Sequence, residues 1–391
     1  MSWPTPQDYN EAIQTPLISF SDEDLRNGEA ELTPVGIPKA MTGTFASVYK
    51  VRTASGIWAV RCFLSHRPEQ KARYEKISSH VLMDGLDYTV QFHYLEEGIR
   101  VRNRWYPILK MNWVTGPTFD SYIVDNFDNP QKLGLLRKEF ALLVEGLDKA
   151  GMAHCDLQHG NIIVSNQGLK LIDYDAMFVP ALRGSLCLEA GHPNYQHPLR
   201  ADYHFDTYTD NFSCWLIDIS LEILSIDPHL LGVFAGGDEC ILFRQKDLNS
   251  PETSPLFNTL LNHKSERIQE LTALIVRMLW CDPELIPELH KPEDLNLLPR
   301  IKPNREKTFD AALEKPNADT ITLSNVTSGT GFHKDQGLSW QTPEAMKYAR
   351  EKGKKHSRLF DQIYDRISTT IDTLDKRFLP LNWIEKRIGE G

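Results

Sequence analysis

Short apolar stretches that suit β-strands occupy much of the first third of the chain. Residues 45–51 and 57–63 are rich in β-branched and aromatic side chains and flank a turn at Ser55-Gly56. This pattern predicts a β-hairpin. Three further strands are predicted from similar stretches, at 89–94, 99–101 and 106–114.

Helical spacing of apolar residues appears in two longer segments. Tyr74, Ile77 and Val81 recur three to four positions apart and predict an amphipathic helix over 69–82. A second segment, 131–150, has a broad apolar face. Earlier in the chain, Ser21-Asp22-Glu23-Asp24 has the composition of a helix N-cap with an acidic first turn.

Length and composition narrow the class of protein. A chain of 391 residues can hold one two-lobed domain of about 250–300 residues with appendages. The net charge of −10 argues against nucleic-acid binding by the chain as a whole. The start lacks the pattern of a signal peptide, no stretch is apolar enough to span a membrane, and the six cysteines are scattered. We therefore expect a cytoplasmic protein without membrane contact.

The candidate chemistry centres on two short segments. Asp156 is followed five residues later by Asn161 and an apolar strand, and Asp173 ends the next apolar strand. Phosphoryl transfer uses such groups: a carboxylate beside the attacking hydroxyl, and amide and carboxylate oxygens on a metal.

These segments resemble motifs of protein kinases. His154, Asp156 and Asn161 match the catalytic loop H-R-D-x-x-x-x-N, with Cys155 in place of its arginine. The strand ending in Asp173 resembles the D-F-G segment, with an aspartate in place of the glycine.

Two later segments extend the resemblance. Gly191, Tyr195 and Pro198 match the segment before A-P-E. Asp210 opens a segment similar to D-x-W-S, whose aspartate in that family anchors the catalytic loop through its backbone. The resemblance covers about residues 34–290 and is greatest to atypical bacterial Ser/Thr protein kinases.

The resemblance implies an α+β, two-lobed protein-kinase-like fold, with a small antiparallel-sheet N-lobe (about 34–114) and a mostly helical C-lobe (about 115–298). It also implies an ATP-dependent Ser/Thr protein kinase in signalling, capable of autophosphorylation, with an unknown protein substrate. Asp156, Asn161 and Asp173 are then the catalytic residues. Asn161 and Asp173 would bind Mg²⁺, with Mn²⁺ as an alternative.

The family's nucleotide site can be carried over residue by residue. Arg61 stands at the position of the phosphate-binding lysine, although an ordinary strand arginine remains the alternative. Glu75 is the expected partner of Arg61, with Glu69 as the fallback. The full expected set is Gly43, Val48, Ala59, Arg61, Glu75, Met111 and Trp113.

Departures from the family's pattern keep other functions open. Arg61, Gln158 and His192 replace a lysine, a lysine and a threonine. The alternatives are a pseudokinase or nucleotide-binding scaffold, and an atypical small-molecule phosphotransferase.

Outside the kinase-like domain (34–298), three segments complete the predicted organisation. Residues 1–33 form an N-terminal extension, 299–340 a polar flexible linker, and 341–391 a helical tail for a partner or for self-association. A basic tract at 347–358 is the one candidate nucleic-acid contact, and a solvated helix face is the preferred interpretation.

Overall fold

The computed structural model describes residues 3–43, 45–234 and 240–298. The predicted linker, helical tail and basic tract lie outside the described residues, so those predictions stand as made.

The chain begins with three short helices, α1 (Pro6–Ile13), α2 (Pro16–Ser19) and α3 (Glu23–Arg26). The Asp22 side chain accepts a hydrogen bond from the Leu25 N–H and so caps α3. The N-cap indicated by the sequence is therefore confirmed.

An antiparallel sheet follows, with strands β1 (Glu29–Ala30), β2 (Ala40–Thr42), β3 (Ala46–Arg52), β4 (Ile57–Phe63), β5 (Phe92–Val101) and β6 (Arg104–Asn112). Within the described residues the order is β1-β3-β4-β6-β5, with β2 also paired to β3. The predicted hairpin is confirmed as β3–β4.

The sequence predicts two separate strands, at 89–94 and 99–101, whereas the structure has the single strand β5 (Phe92–Val101). Its pairing with β6 shifts between Leu95 and Ile99, which is typical of a bulge. Gly98 lies in this irregular stretch, where a Cβ would stand 2.3 Å from Cγ1 of Ile108. Glycine lets the backbone approach β6 and keeps the strand continuous.

The two faces of the sheet have different roles. Tyr49, Val51, Val60 and Cys62 are buried with side chains of α1, and the Tyr9 hydroxyl donates to the Phe63 carbonyl at 2.6 Å. Lys110 also ties this face to the N-terminal segment, since its ammonium lies 2.8 Å from Asp22 and 4.3 Å from the Trp58 ring centroid.

The opposite face carries Val48, Ala59, Arg61 and Met111. Strand pairing sets Val48 beside Arg61 and Ala59 beside Met111, and directly paired residues share a face. Four residues of the expected nucleotide site are thereby gathered on one surface.

The helix between β4 and β5 is α4 (Gln70–Asp84). Its buried residues are Gln70, Arg73, Tyr74, Ile77 and Val81, so the predicted amphipathic helix is confirmed. The helix ends at Asp84 and is capped by Gly85, whose φ of 57° is left-handed, as is common for a C-terminal glycine cap.

The remaining part is mainly helical, comprising α5 (Phe119–Asp125), α6 (Pro130–Lys149), α7 (Asn211–Ile226), α8 (His229–Phe234), α9 (Gln245–Asn249), α10 (Pro255–Leu261) and α11 (Glu266–Leu279). A small hairpin of β7 (Ile162–Ser165) and β8 (Gly168–Leu171) lies between α6 and α7.

The helices α6 and α7 pack together through apolar side chains and through the ion pairs of Arg137 with Asp218 and Glu222. Arg137 donates to both Asp218 oxygens, at 2.9 and 2.8 Å. The α+β class, with an antiparallel-sheet lobe followed by a mainly helical lobe, is confirmed. None of the helices in the described ranges has the length and apolar character needed to cross a membrane.

Candidate active site

The β7–β8 hairpin brings the predicted catalytic segments together. Asn161 directly precedes β7, and Asp173 follows β8 by two residues. The hairpin pairs Ile162 with Leu171, and the Ile172 N–H donates to the Asn161 carbonyl at 3.0 Å. Residues twelve apart in the sequence therefore flank the same end of the hairpin.

Asp156 is held from two sides. Nδ2 of Asn161 donates to Oδ2 of Asp156 and to its backbone carbonyl, at 2.9 Å each. Oδ1 of Asp156 accepts the His192 N–H at 2.6 Å. The carboxylate therefore has a fixed orientation, and these hydrogen bonds use the Asn161 amide nitrogen and not its oxygen.

A buried carboxylate directly before α7 anchors this loop. Oδ2 of Asp210 accepts the His154 N–H, and Oδ1 accepts the Cys155 N–H at 2.9 Å. Cys155 has a φ of 62°, which is costly for a residue other than glycine. The anchoring role that the resemblance implied for Asp210 is confirmed.

The residues that depart from the kinase pattern also have structural roles. The Cys155 side chain is buried, and its carbonyl accepts Nη1 of Arg200 at 2.8 Å. The Gln158 side chain folds back onto the Gly160 N–H at 2.7 Å. His154, which matches the pattern, also has such a role, because its Nε2 lies 2.9 Å from the Ile172 carbonyl and joins the loop to the segment before Asp173.

Arg61 reaches across from the sheet to the segment after β8. Its Nη1 lies 2.8 Å from Oδ1 of Asp173, and its Nη2 lies 2.5 Å from Oδ2 of Asp175. The Arg61 side chain is only 16% exposed. The guanidinium therefore pairs with two carboxylates of the segment after β8, which the fold brings next to the sheet.

The expected pairing of Arg61 with Glu75 is wrong. Glu75 is exposed on α4, and so is the fallback residue Glu69. The buried side of α4 presents Arg73 and Tyr74 instead. Glu75 follows Tyr74 by about 100° around the helix, which turns its carboxylate away from Arg61.

The pKa values of Asp173 and Asp175 depend on their burial and on the Arg61 guanidinium that both contact. Burial opposes ionisation of Asp173, but the Arg61 guanidinium, together with His154 and the Asp175 backbone, lowers the pKa of that carboxyl overall. For Asp175, burial outweighs the effect of Arg61 and raises the pKa. The two carboxyl groups therefore differ in their preference for charge, and Asp173 is the stronger candidate for a cation.

Two members of the expected nucleotide set have backbone groups that are already used. The Gly43 N–H donates to the Ala46 carbonyl at 2.9 Å, and the Trp113 N–H donates to the Ile57 carbonyl at 2.9 Å. The Trp113 ring lies 5.0 Å from the ammonium of Lys50. Neither N–H is available to a nucleotide in this arrangement.

The connection between the two lobes is fixed by a close backbone approach. A Cβ on Gly116 would stand 2.2 Å from the Val164 carbonyl oxygen. The Val164 N–H donates to the Pro117 carbonyl at 2.9 Å. Glycine at this position lets the connection pass directly against β7.

The residues present fit a nucleotide with a divalent metal. The Asn161 amide oxygen and the Asp173 carboxylate are hard oxygen donors, which Mg²⁺ prefers. Nε of Arg61 is buried and has no hydrogen-bond partner among the described residues. A phosphate oxygen would satisfy this donor.

Sequence reasoning missed the role of Asp175 and of the two α4 residues that contact it. Tyr74 donates its hydroxyl to Oδ1 of Asp175, and Arg73 donates to the carbonyls of Asp175 and Met177 at 3.0 and 2.9 Å. Two sequence features could have indicated this role: a second aspartate, Asp175, close to the candidate metal ligand Asp173, and Arg61 in place of a lysine.

Comparisons with known proteins add little to this geometry. No protein-family model and no curated protein match the chain. Among solved structures, it is similar to the kinase PK-1 of Cydia pomonella granulovirus, with 17% sequence identity, a TM-score of 0.45, and coverage of 71% of this chain and 96% of that one. At this level the likeness assigns neither activity nor substrate. The α+β arrangement expected from the sequence, an antiparallel sheet followed by a mainly helical part, is the one described above.

Proposed function

We propose that the protein transfers the γ-phosphoryl group of ATP to a serine or threonine hydroxyl of a protein, which includes its own hydroxyls. The carrying observation is that Asp156, Asn161 and Asp173 flank one end of the β7–β8 hairpin. Arg61 reaches this same point from the sheet.

Asp156 has the position and the capacity of a general base. One oxygen accepts the His192 N–H and the other accepts Asn161 Nδ2. A carboxylate oxygen has two acceptor positions, so Asp156 can still orient an attacking hydroxyl and take its proton. The two existing hydrogen bonds hold it ready for this step.

Asn161 and Asp173 would hold Mg²⁺ or Mn²⁺, which when bound neutralises charge on the transferred phosphoryl group. Arg61 would serve the same end, because a guanidinium binds phosphate oxygens through a planar set of donors. Its buried Nε is the donor still unused.

One observation favours a second candidate, a nucleotide-binding scaffold without transfer activity. Arg61 already contacts Asp173 at 2.8 Å. A cation that stays on this carboxylate competes with a metal for it. Such a protein would bind nucleotide and leave the γ-phosphate in place.

Incubation of the full chain with γ-labelled ATP and Mg²⁺, with and without a generic protein substrate, separates these candidates. We expect label on protein serine or threonine, and its loss in both Asp156→Ala and Asp173→Ala. The matched control is Asp202→Ala, which removes an exposed carboxylate of the same lobe. Nucleotide binding without label transfer by the wild type would support the scaffold and refute the kinase.

A further inference from the structure

Arg61 is a buried cation whose counter-charges come from one short segment. Both carboxylates that contact it, Asp173 and Asp175, follow β8 and are two residues apart. Asp173 is also the candidate metal ligand. If Asp173 turned to a metal without a replacement, Arg61 would be left as an unpaired buried charge, which is strongly destabilising.

Asp175 is held in place independently of Asp173. Its Oδ2 contacts Nη2 of Arg61 at 2.5 Å, while its Oδ1 accepts the Tyr74 hydroxyl. Arg73 donates to the Asp175 carbonyl at 3.0 Å. The side chain is only 8% exposed. Its orientation is therefore set by α4 as well as by Arg61.

The two carboxylates are also unequal in their surroundings. Asp173 is 37% exposed and contacts Nη1 of Arg61, whereas Asp175 is enclosed between Arg61 and Tyr74. Asp173 can therefore change partner at the edge of the cluster, while Asp175 remains fixed behind it.

We propose that Asp175 is a positioning residue that retains Arg61, so that Asp173 is released to a divalent metal when nucleotide binds. This deepens the proposed function and rests on it. Tyr74 orients Asp175 for this task, and α4 thereby contributes a hydroxyl instead of the carboxylate that the sequence resemblance placed on Glu75.

The proposal predicts how nucleotide affinity depends on the metal. We would measure binding of the non-hydrolysable ATP analogue AMP-PNP by calorimetry, once with Mg²⁺ and once with EDTA, and compare the ratio of the two affinities. In Asp175→Asn, Arg61 loses its second carboxylate and stays on Asp173. We expect the Mg²⁺-dependent gain in affinity to fall at least tenfold relative to the wild type.

A second substitution tests the cause. In Asp175→Asn with Arg61→Gln, Asp173 no longer faces a competing cation, so the ratio should recover towards the wild-type value even though both affinities are weaker. Tyr74→Phe should lower the ratio in the same direction but less, and Asp202→Asn should leave it unchanged. Thermal unfolding of each variant shows whether it is folded.

Each possible result either supports or overturns the proposal. An unchanged ratio in folded Asp175→Asn, or no recovery in the double variant, overturns it, as does a wild type whose affinity does not depend on Mg²⁺. Because this assay involves no phosphoryl transfer, a wild type that binds with the predicted ratios but transfers no label refutes the kinase and leaves the role of Asp175 supported.

Discussion

The anchor beneath the loop that carries Asp156 and Asn161 offers a direct test of how this site is held together. Asp210 is 5% exposed and accepts the N–H groups of His154 and Cys155. Burial raises the pKa of its carboxyl. Asp210→Ala removes both acceptors, leaves two buried donors unsatisfied, and releases the left-handed backbone of Cys155.

The expected cost follows from these contacts. Hydrogen bonds to a charged group contribute about 1.5–3 kcal/mol each. Removal of the carboxylate also relieves its own desolvation, so the net loss should lie near the lower end of the sum. We expect Asp210→Ala to reduce the free energy of unfolding by about 3 kcal/mol. Asp210→Asn, which keeps one acceptor oxygen, should lose roughly half as much.

Urea denaturation followed by tryptophan fluorescence measures this difference, with Asp202→Ala as the exposed control, for which we expect a change within about 0.5 kcal/mol. Activity should fall together with stability, because the loop that carries Asp156 loses its support. A loss below about 1 kcal/mol for Asp210→Ala would refute the anchoring argument.

Two further predictions concern other parts of the domain. Gly116→Ala should lower the free energy of unfolding by roughly 1–3 kcal/mol, since its Cβ would meet the Val164 carbonyl, whereas Gly134→Ala, which faces open space on α6, should be neutral or stabilising in the same denaturation assay. Burial lowers the pKa of His197 to about 4, and its two ring nitrogens bond the Met278 carbonyl and the Leu199 N–H. A depressed pKa means that the unfolded chain takes up the proton first, so stability should fall as the pH drops from about 6.5 towards 4, by up to about 3 kcal/mol from this residue. The slope should be smaller in His197→Gln, and equal slopes in the two proteins would contradict the assignment.

The parts of the fold that the sequence predicted well are those governed by local pattern. The β3–β4 hairpin, α4 and α6 follow from periodicity and turn residues. The contact of Asp156 with Asn161, and that of Asp210 with the backbone at Cys155, follow from motifs whose spacing fixes which groups can meet.

The error at Glu75 has a physical cause that was already present in the helix pattern. Tyr74, Ile77 and Val81 define the buried side of α4, and Glu75 lies off that side. The kinase motif placed Glu75 next to Arg61, whereas the apolar periodicity placed Glu75 on the exposed side of α4. The structure agrees with the periodicity. The pairing of Arg61 with Asp175 joins residues 114 positions apart, so no local pattern could indicate it.

The packing of the N-terminal segment was also beyond local pattern. Lys110 is buried because Asp22, Asp24 and the Trp58 ring surround its ammonium. None of these residues belongs to a recognisable sequence motif, and only the fold brings the charges together.

The most direct test of the proposed function is the rate of γ-phosphoryl transfer in Asp156→Asn, measured beside its affinity for ATP and Mg²⁺. Asn keeps the shape of the side chain and removes the base. We predict a rate about 10²–10⁴-fold below that of the wild type, with nucleotide affinity unchanged. A wild-type transfer rate in a variant that binds ATP normally would contradict the assignment of Asp156 and the catalytic account built on it.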